Sequence, residues 1–184
     1  MTTAKLEGVS PRQLLNYARQ PDDLLTIAFA GIIRQASMRG EQPWIRGLSD
    51  ARFKKLLNEY FLTQALSNES EAMPAGADEF DDLAGLLLEH RAEPSEQLAW
   101  LALAIASAAM GENHLWQDMG LPSRKVLSTL MTQYFPTLAA RNTDDMKWKK
   151  FFYRQLCERA EIPICKSPHC AECCDYAICF GKDD

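Results

Sequence analysis

Five of the six cysteines in this 184-residue chain lie within fifteen residues, "CKSPHCAECCDYAIC". Four of them follow a Cys-x4-Cys-x2-Cys-x5-Cys pattern, namely Cys165, Cys170, Cys173 and Cys179. Pro163 and Pro168 interrupt a continuous helix here, so the segment can fold around a point as an irregular knuckle. Thiolates held this close repel one another and resist ionisation unless a cationic centre compensates their charge. The pattern therefore predicts a bound metal ion or metal cluster.

The spacing of these cysteines also bears on the kind of metal. Four sulfurs suit tetrahedral Zn²⁺, but zinc sites usually combine two closely spaced pairs that a longer loop separates. This pattern is one compact set with uneven gaps, and its opening Cys-x4-Cys-x2-Cys matches the start of the plant-type ferredoxin spacing. The match ends there, because the fourth cysteine follows after only five residues. The spacing favours an iron–sulfur cluster and leaves structural zinc as the alternative.

Three further residues could contribute to such a site. Cys174 follows Cys173 directly and is either a ligand or a spare thiol. His169 is placed to contact a metal, although a lone histidine in such a loop is often only solvated. Cys157 lies upstream on a predicted helix, where a small buried side chain is the simpler interpretation.

Charge and hydropathy narrow the class of protein. The formal net charge of −5 argues against non-specific nucleic-acid binding, because that requires a basic excess. The N-terminal sequence lacks the basic and apolar regions of a secretory signal. The apolar stretches 24–33 and 98–110 are shorter than the ~18 residues expected of a membrane span. We therefore expect a cytoplasmic protein that binds neither nucleic acid nor membranes, in which clustered cysteines are metal ligands or redox groups rather than disulfides.

Apolar residues recur at spacings of three and four, which predicts an all-α helical bundle to position this segment. The expected helices span residues 11–19, 22–38, 49–66, 79–91, 95–110, 122–135 and 143–160. Prolines are expected in first helical turns at Pro11, Pro21, Pro94 and Pro122. Glycines are expected in the connections at Gly40, Gly111 and Gly120.

An internal repeat is indicated within this helical body. A shift of 73 residues superposes Leu14 on Leu87 and Gly47 on Gly120, among others. One further residue of slip then pairs Tyr60-Phe61 with Tyr134-Phe135. The pattern suggests two related three-helix units, residues 11–62 and 84–135, joined by an acidic linker. Chance similarity between leucine-rich amphipathic helices is the alternative.

The chain divides into a helical body, residues 1–142, and a C-terminal part, residues 143–184, with the last helix and the cysteines. That helix is expected to begin with Asp144 as its N-cap. One side carries Trp148, Phe151, Phe152 and Leu156, and the opposite side carries Lys147, Lys150 and Arg154. Interleaved basic and aromatic residues can bind single-stranded nucleic acid. The core spacing of these aromatics and the acidic chain favour docking against the body instead.

Three segments resemble one known family. They are "GENHLWQDMGL" in the middle of the chain, "MKWKKFFYRQLCE" in the last helix, and the terminal "CKSPHCAECCDYAICFG". Together they resemble the NifQ family of molybdenum-handling proteins in biological nitrogen fixation. The resemblance is good over residues 95–184 and loose over the N-terminal half.

The resemblance implies a cytosolic carrier, monomeric or weakly associating. The sequence contains no phosphate-cradling glycine loop and no evident Ser-His-acid or paired-carboxylate arrangement, so we do not expect an enzyme. The carrier's cargo would be a molybdenum–iron–sulfur cluster of the [MoFe3S4] type or a [3Fe-4S] or [4Fe-4S] precursor. The implied ligands are Cys165, Cys170, Cys173 and Cys179. The implied recipients are the scaffold complex that assembles the nitrogenase iron–molybdenum cofactor and the nitrogenase iron protein, and an iron–sulfur cluster donor is a further partner. A [4Fe-4S] electron carrier and a zinc-stabilised interaction module remain the alternatives.

Molybdenum prefers more than four ligands, so such a cluster would need nitrogen or oxygen donors besides sulfur. His114 in "GENHLWQD" and His169 are the candidates, although for His114 the favoured interpretation is that it caps or packs at the turn before Trp116. A thiolate-bound cluster is anionic, and nearby cations would stabilise it. The candidates for that role are Lys149, Lys150, Arg154 and Lys166, although for each taken singly an ordinary solvated side chain is the favoured interpretation.

Overall fold

The computed structural model describes residues 10–63, 66–68, 79–160 and 176–181. A 3-10 helix, Pro11–Tyr17, comes first. The α-helices are α1 (Leu24–Met38), α2 (Asp50–Tyr60), α3 (Glu79–Glu89), α4 (Glu96–Ala109), α5 (Leu115–Asp118), α6 (Arg124–Tyr134), α7 (Pro136–Ala139), α8 (Trp148–Arg159) and α9 (Tyr176–Phe180). Within these ranges, β-pairing is limited to an isolated bridge between Ala18 and Phe61. The predicted all-α fold is confirmed.

The helix boundaries correct the prediction at several points. Residues 11–17 form a 3-10 helix rather than an α-helix, and α2 ends at Tyr60 instead of continuing to residue 66. Pro11 opens its helix as expected. Pro21, Pro94 and Pro122 lie outside the helices that follow them, because Asp23, Ser95 and Ser123 are the N-caps. Each of these three side chains accepts a hydrogen bond from a backbone N–H of the first turn. The helix therefore begins after the capping residue, and the proline precedes the cap.

The last long helix begins later than predicted. Asp144 is not its N-cap, because α8 starts at Trp148 with Lys147 as N-cap. The preceding loop is fixed by Asn142, whose side chain bonds both the N–H and the carbonyl of Met146 at 2.9 Å. Asp145 in the same loop has a positive φ of 52°, a conformation that a helix does not allow. The residues between Asn142 and Trp148 therefore form a loop that precedes the helix.

Helices α1 and α4 form the centre of the body and contact each other. Both are apolar around most of their circumference, as expected for helices that are covered on all sides. Their fully buried side chains include Phe29, Ile33, Trp100 and Ile105. Gly31 in α1 allows a close approach, because a Cβ there would clash with the carbonyl oxygen of Met119. The chain after α5 can therefore pass directly over α1.

The two halves of the body repeat the same backbone pairing. The N–H of Arg19 donates to the carbonyl of Tyr60 at 2.9 Å, and the N–H of Ala92 donates to that of Tyr134 at 2.8 Å. These donors are 73 residues apart and these acceptors 74, as in the sequence superposition. Helices α2 and α6 also share a serine N-cap and end at a fully buried phenylalanine, Phe61 or Phe135. The structure supports the predicted duplication.

Helix α8 docks against this body through its aromatic face, as predicted. Trp148, Phe151 and Phe152 are 6%, 3% and 1% exposed and belong to the same core as α3 and α4. The indole Nε1 of Trp148 donates to the hydroxyl of Ser128 in α6 at 3.1 Å. None of the helices in the described ranges has the length and apolar character needed to cross a membrane.

Candidate functional site

The described residues include part of the predicted site. Cys179, Cys157 and His114 lie in described helices or at their ends. The other predicted site residues, Cys165, Cys170, Cys173, Cys174, His169 and Lys166, lie outside the described residues. Cys179 and the elements that hold it are therefore the described part of the predicted cysteine motif.

Cys179 lies in α9 and is attached to the start of α8. Its backbone carbonyl accepts a 2.9 Å hydrogen bond from the N–H of Lys147, the N-cap of α8. Its half-buried side chain packs against the edge of the core together with Phe180, and its thiol is not in a disulfide. A helix of five residues is too short to be stable alone. The position of Cys179 therefore depends on these contacts with the body.

The next two residues, Trp148 and Lys149, attach the first turn of α8 to other parts of the body. Trp148 bonds Ser128 in α6, as described above. The ammonium of Lys149 donates to the carbonyl of Gly111 at 2.7 Å and to Oδ2 of Asp118 at 2.5 Å. Lys147, Trp148 and Lys149 thus connect a single helical turn to α9, to α6 and to residues 111–118. This last segment, which ends in the short helix α5, is called the 111–118 loop.

Asp118 is the most buried charged residue of this region, with a side chain only 1% exposed. Besides Lys149, it accepts bonds from the backbone N–H and the side-chain amide of Asn113, at 3.0 and 3.1 Å. Arg39 makes a longer contact with its other oxygen, at 3.4 Å. The hydrogen bond from Arg39 to Glu41 raises the pKa of that guanidinium, and Asp118 raises it further. A carboxylate removed from water requires such donors, since an unpaired buried charge is very costly.

The loop that carries His114 fits around this carboxylate. A Cβ at Gly111 would lie 2.6 Å from the Asp118 carboxylate, so the close approach requires glycine. His114 is the N-cap of α5, and its backbone N–H donates to Oε1 of Gln117 at 3.2 Å. The predicted capping position at the turn before Trp116 is thereby confirmed. Its role as a molybdenum ligand stays a prediction, but its loop contacts the same turn of α8 that holds Cys179.

Cys157 lies near the other end of α8. Ten residues separate it from Lys147, which corresponds to roughly 15 Å along a helix. Arg159, the last residue of α8, and Cys179 in α9 therefore lie at opposite ends of α8, and three of the four predicted cysteine ligands fall between them in sequence. Cys157 is half-buried and not in a disulfide. The described geometry separates it from Cys179.

The predicted basic residues near the cluster differ in their surroundings. Lys149 is 16% exposed and pairs with Asp118, so its charge is largely compensated within the protein. Arg154 pairs with Glu158 one turn later at 2.9 Å, and Lys150 is exposed to solvent. Among the described residues, no group of three or more His, Cys, Asp or Glu side chains could hold a metal ion.

A pocket of about 360 Å³ lies between the 141–146 loop and α8. It is lined by two guanidinium groups, Arg141 and Arg154, and two carboxylates, Asp144 and Glu158. Opposite charges therefore balance within it. The lining contains neither cysteine nor histidine, which sets it apart from the candidate metal site.

Comparison with known proteins identifies the family. Residues 14–181 match the sequence model of NifQ. The chain belongs to the NifQ family. The match includes the helical body as well as the cysteines, and so extends the resemblance of residues 95–184 toward the N-terminus. Membership connects the chain with nitrogen fixation.

Individual NifQ proteins give the same result. The chain is 44% identical to Protein NifQ of Azotobacter vinelandii over 58% of its own length and 54% of that protein. It is 36% identical to Protein NifQ of Rhodobacter capsulatus over 74% of its own length and 76% of that protein. With Protein NifQ of Klebsiella pneumoniae the identity is 45%, over 49% of this chain and 62% of that one. The chain thus spans little more than half of the Azotobacter relative. No solved structure shows a significant match.

Two of the segments that resemble NifQ meet in the structure. "GENHLWQDMGL" supplies Gly111, Asn113 and Asp118, and "MKWKKFFYRQLCE" supplies Lys149. Sequence reasoning missed Asp118, because no spacing pattern relates it to a lysine 31 residues later. The resemblance of both segments to one family is the signal that could have drawn attention to their contact.

Proposed function

We propose that this chain carries a molybdenum–iron–sulfur cluster and donates its molybdenum to the assembly of the nitrogenase iron–molybdenum cofactor. The proposal is carried by the Cys-x4-Cys-x2-Cys-x5-Cys pattern, which lies within the part of the chain that matches NifQ. The attachment of Cys179, its last cysteine, to the folded body gives further support.

The chemistry of the donor set suits this cargo. Molybdate is a hard oxyanion, whereas thiolates are soft ligands that favour sulfide-bridged metals. A cluster held by Cys165, Cys170, Cys173 and Cys179 would give molybdenum an environment between the oxyanion and a sulfur-rich cofactor. In a cluster of three irons and one molybdenum, three thiolates would hold the irons. The fourth, with nitrogen or oxygen donors such as His114 or His169, would hold the molybdenum.

In this proposal the protein binds and releases its cargo rather than catalysing a reaction. A corner of the cluster that few protein groups hold suits a donor, because the carrier must give up the molybdenum. The recipients are the cytoplasmic cofactor-assembly scaffold complex and the nitrogenase iron protein, and an iron–sulfur cluster donor supplies the precursor.

The test is the iron, sulfide, molybdenum and zinc content of protein purified without oxygen from nitrogen-fixing cells supplied with molybdate. We expect iron, sulfide and molybdenum in the parent protein and their loss in Cys170→Ala. The matched control is Cys157→Ala, which removes a thiol at the far end of α8 and should keep the metals.

Two other results would contradict the proposal. Iron and sulfide without molybdenum would favour a [4Fe-4S] electron carrier. A colourless protein with zinc alone would indicate a zinc-stabilised interaction module, because zinc thiolates lack the visible charge-transfer absorption of iron–sulfur clusters.

A further inference from the structure

We infer that Asp118 is a positioning residue for the cargo site, because it fixes the turn of α8 that holds Cys179 and also the loop that carries His114. The inference rests on the proposed function in so far as Cys179 is a ligand. It concerns a carboxylate that makes no direct contact with Cys179 and acts through Lys149 and the backbone of α8.

The first step is the link from Asp118 to α8. Its carboxylate is 1% exposed and lies 2.5 Å from the ammonium of Lys149, which is itself 16% exposed. Removal of the negative charge would leave a largely buried ammonium without its counter-ion. The first turn of α8 would then have to move so that Lys149 could reach water.

The second step is the link from α8 to Cys179. Lys147 and Lys149 belong to the same turn, and the N–H of Lys147 holds the carbonyl of Cys179 at 2.9 Å. Since α9 has only five residues, it has little helical stability of its own. A displacement at the start of α8 is therefore transmitted to Cys179.

The third step concerns the 111–118 loop. Asp118 accepts two hydrogen bonds from Asn113, the residue before His114. Lys149 also donates to the carbonyl of Gly111 at the start of this loop. One carboxylate thus sets the positions of a sulfur ligand and of the loop that bears a candidate nitrogen ligand, in a region where 1 Å of displacement matters for metal binding.

The test compares the alkylation rates of two thiols in the full-length, metal-free chain. Peptide mass spectrometry after brief exposure to iodoacetamide gives the rate at Cys179 and, as an internal reference, the rate at Cys157. We call their quotient the Cys179/Cys157 ratio. Asp118→Asn should raise this ratio at least threefold, because Cys179 is released while the far end of α8 is unchanged.

Two further variants separate positioning from general stability. Leu57→Ala removes buried side-chain volume in α2 and should lower the melting temperature without changing the ratio. Lys149→Met breaks the same link from the other side and should raise the ratio even if Asp118→Asn does not fold. Both substitutions break the same link between Asp118 and Lys149. The Cys179/Cys157 ratio in the double variant should therefore be close to the ratio in either single variant.

An unchanged ratio in whichever of Asp118→Asn and Lys149→Met folds, as judged by circular dichroism, would overturn the inference. So would a rise of equal size in Leu57→Ala. The result is independent of the cargo, since the metal-free protein is measured. Metal analysis of the parent protein tests the proposed function separately, so that either can fail while the other stands.

Discussion

The backbone N–H of Lys147 donates a 2.9 Å hydrogen bond to the carbonyl oxygen of Cys179, although 32 residues separate them in sequence. The bond places the last cysteine of the motif at the start of α8 rather than at its end, where the chain leaves the helix. The neighbouring contact of Lys149 with Asp118 joins the same turn to the 111–118 loop. Cys179, the described cysteine of the motif, is thereby linked to the first turn of α8, and the same turn is linked to Asp118.

A substitution at Gly111 tests how tightly the chain packs around the Asp118 carboxylate. Gly111→Ala should lower the free energy of unfolding by about 2 kcal/mol, because the new methyl group would overlap the buried Asp118 carboxylate. Gly85→Ala is the matched control in α3. A Cβ at Gly85 meets no atom within 4 Å, so that variant should gain about 0.5 kcal/mol of helix propensity. Urea unfolding of both variants measures the difference, and equal stabilities would contradict the packing described here.

The duplication predicts equivalent costs at equivalent positions. Phe61 and Phe135 each follow the last turn of their helix, and both are 0% exposed. Replacement of either by alanine should therefore lower the free energy of unfolding by about 3 to 4 kcal/mol. Leu62→Ala, at an adjacent residue that is 54% exposed, should cost less than about 0.5 kcal/mol. Chemical denaturation gives all three values, and tolerance at one phenylalanine alone would show that the halves are not energetically equivalent.

The long helices could be predicted from sequence because each buries a continuous apolar side, and that side produces a regular spacing. The sequence pattern does not predict α5 and α7, because each has only four residues. This is close to a single turn and leaves no periodicity. The start of α8 was placed too early because a polar residue, Asp144, resembled an N-cap. Two hydrogen bonds between Asn142 and Met146 hold the preceding residues in a loop and so delay the start of α8. Helix propensities do not predict such bonds.

For the candidate site as well, some features follow from local sequence and others depend on tertiary packing. The prediction of a metal site rests on the number and spacing of the cysteines, since charge repulsion between thiolates follows from proximity in sequence, and it stays a prediction. The attachment of Cys179 to α8 and the pairing of Asp118 with Lys149 depend on how the helices pack. The sequence predicts Lys149 near an anionic cluster, which stays a prediction, and it does not reveal that this ammonium pairs with the Asp118 carboxylate.

His90 predicts a pH dependence of stability. It is 8% exposed, its Nδ1 lies 2.7 Å from the hydroxyl of Thr137, and its Nε2 has no partner among the described residues. Burial lowers the pKa of His90 below its usual value, and Arg141 and Arg159 lower it further. The unfolded chain therefore binds a proton more readily than the folded one. Stability from the neutral imidazole is complete above about pH 6.5 and decreases as the pH falls through the lower pKa of the folded state.

The measurement is urea unfolding of the parent and of His90→Gln between pH 5 and 8. The difference in unfolding free energy between the two should be constant above about pH 7 and should shift in favour of His90→Gln at lower pH. Carboxylates that titrate in both proteins cancel in this difference. A difference that stays constant over the whole range would show that His90 titrates alike in both states.

A proline at position 147 tests the bond between Lys147 and Cys179 directly. Lys147 has a φ of −53°, which proline adopts readily, and the N–H of an N-cap residue is not used within the helix. Lys147→Pro should therefore leave α8 intact and remove the backbone donor to Cys179 together with the lysine side chain. Lys147→Ala is the matched control, because it removes the same side chain and keeps the N–H. The Cys179/Cys157 ratio should rise at least threefold in the proline variant and stay near the parent value in the alanine variant. If the Cys179/Cys157 ratio stays near the parent value in both variants, and circular dichroism shows equal helix content, the hydrogen bond is not what holds α9. The packing of Phe180 against the core would then hold it.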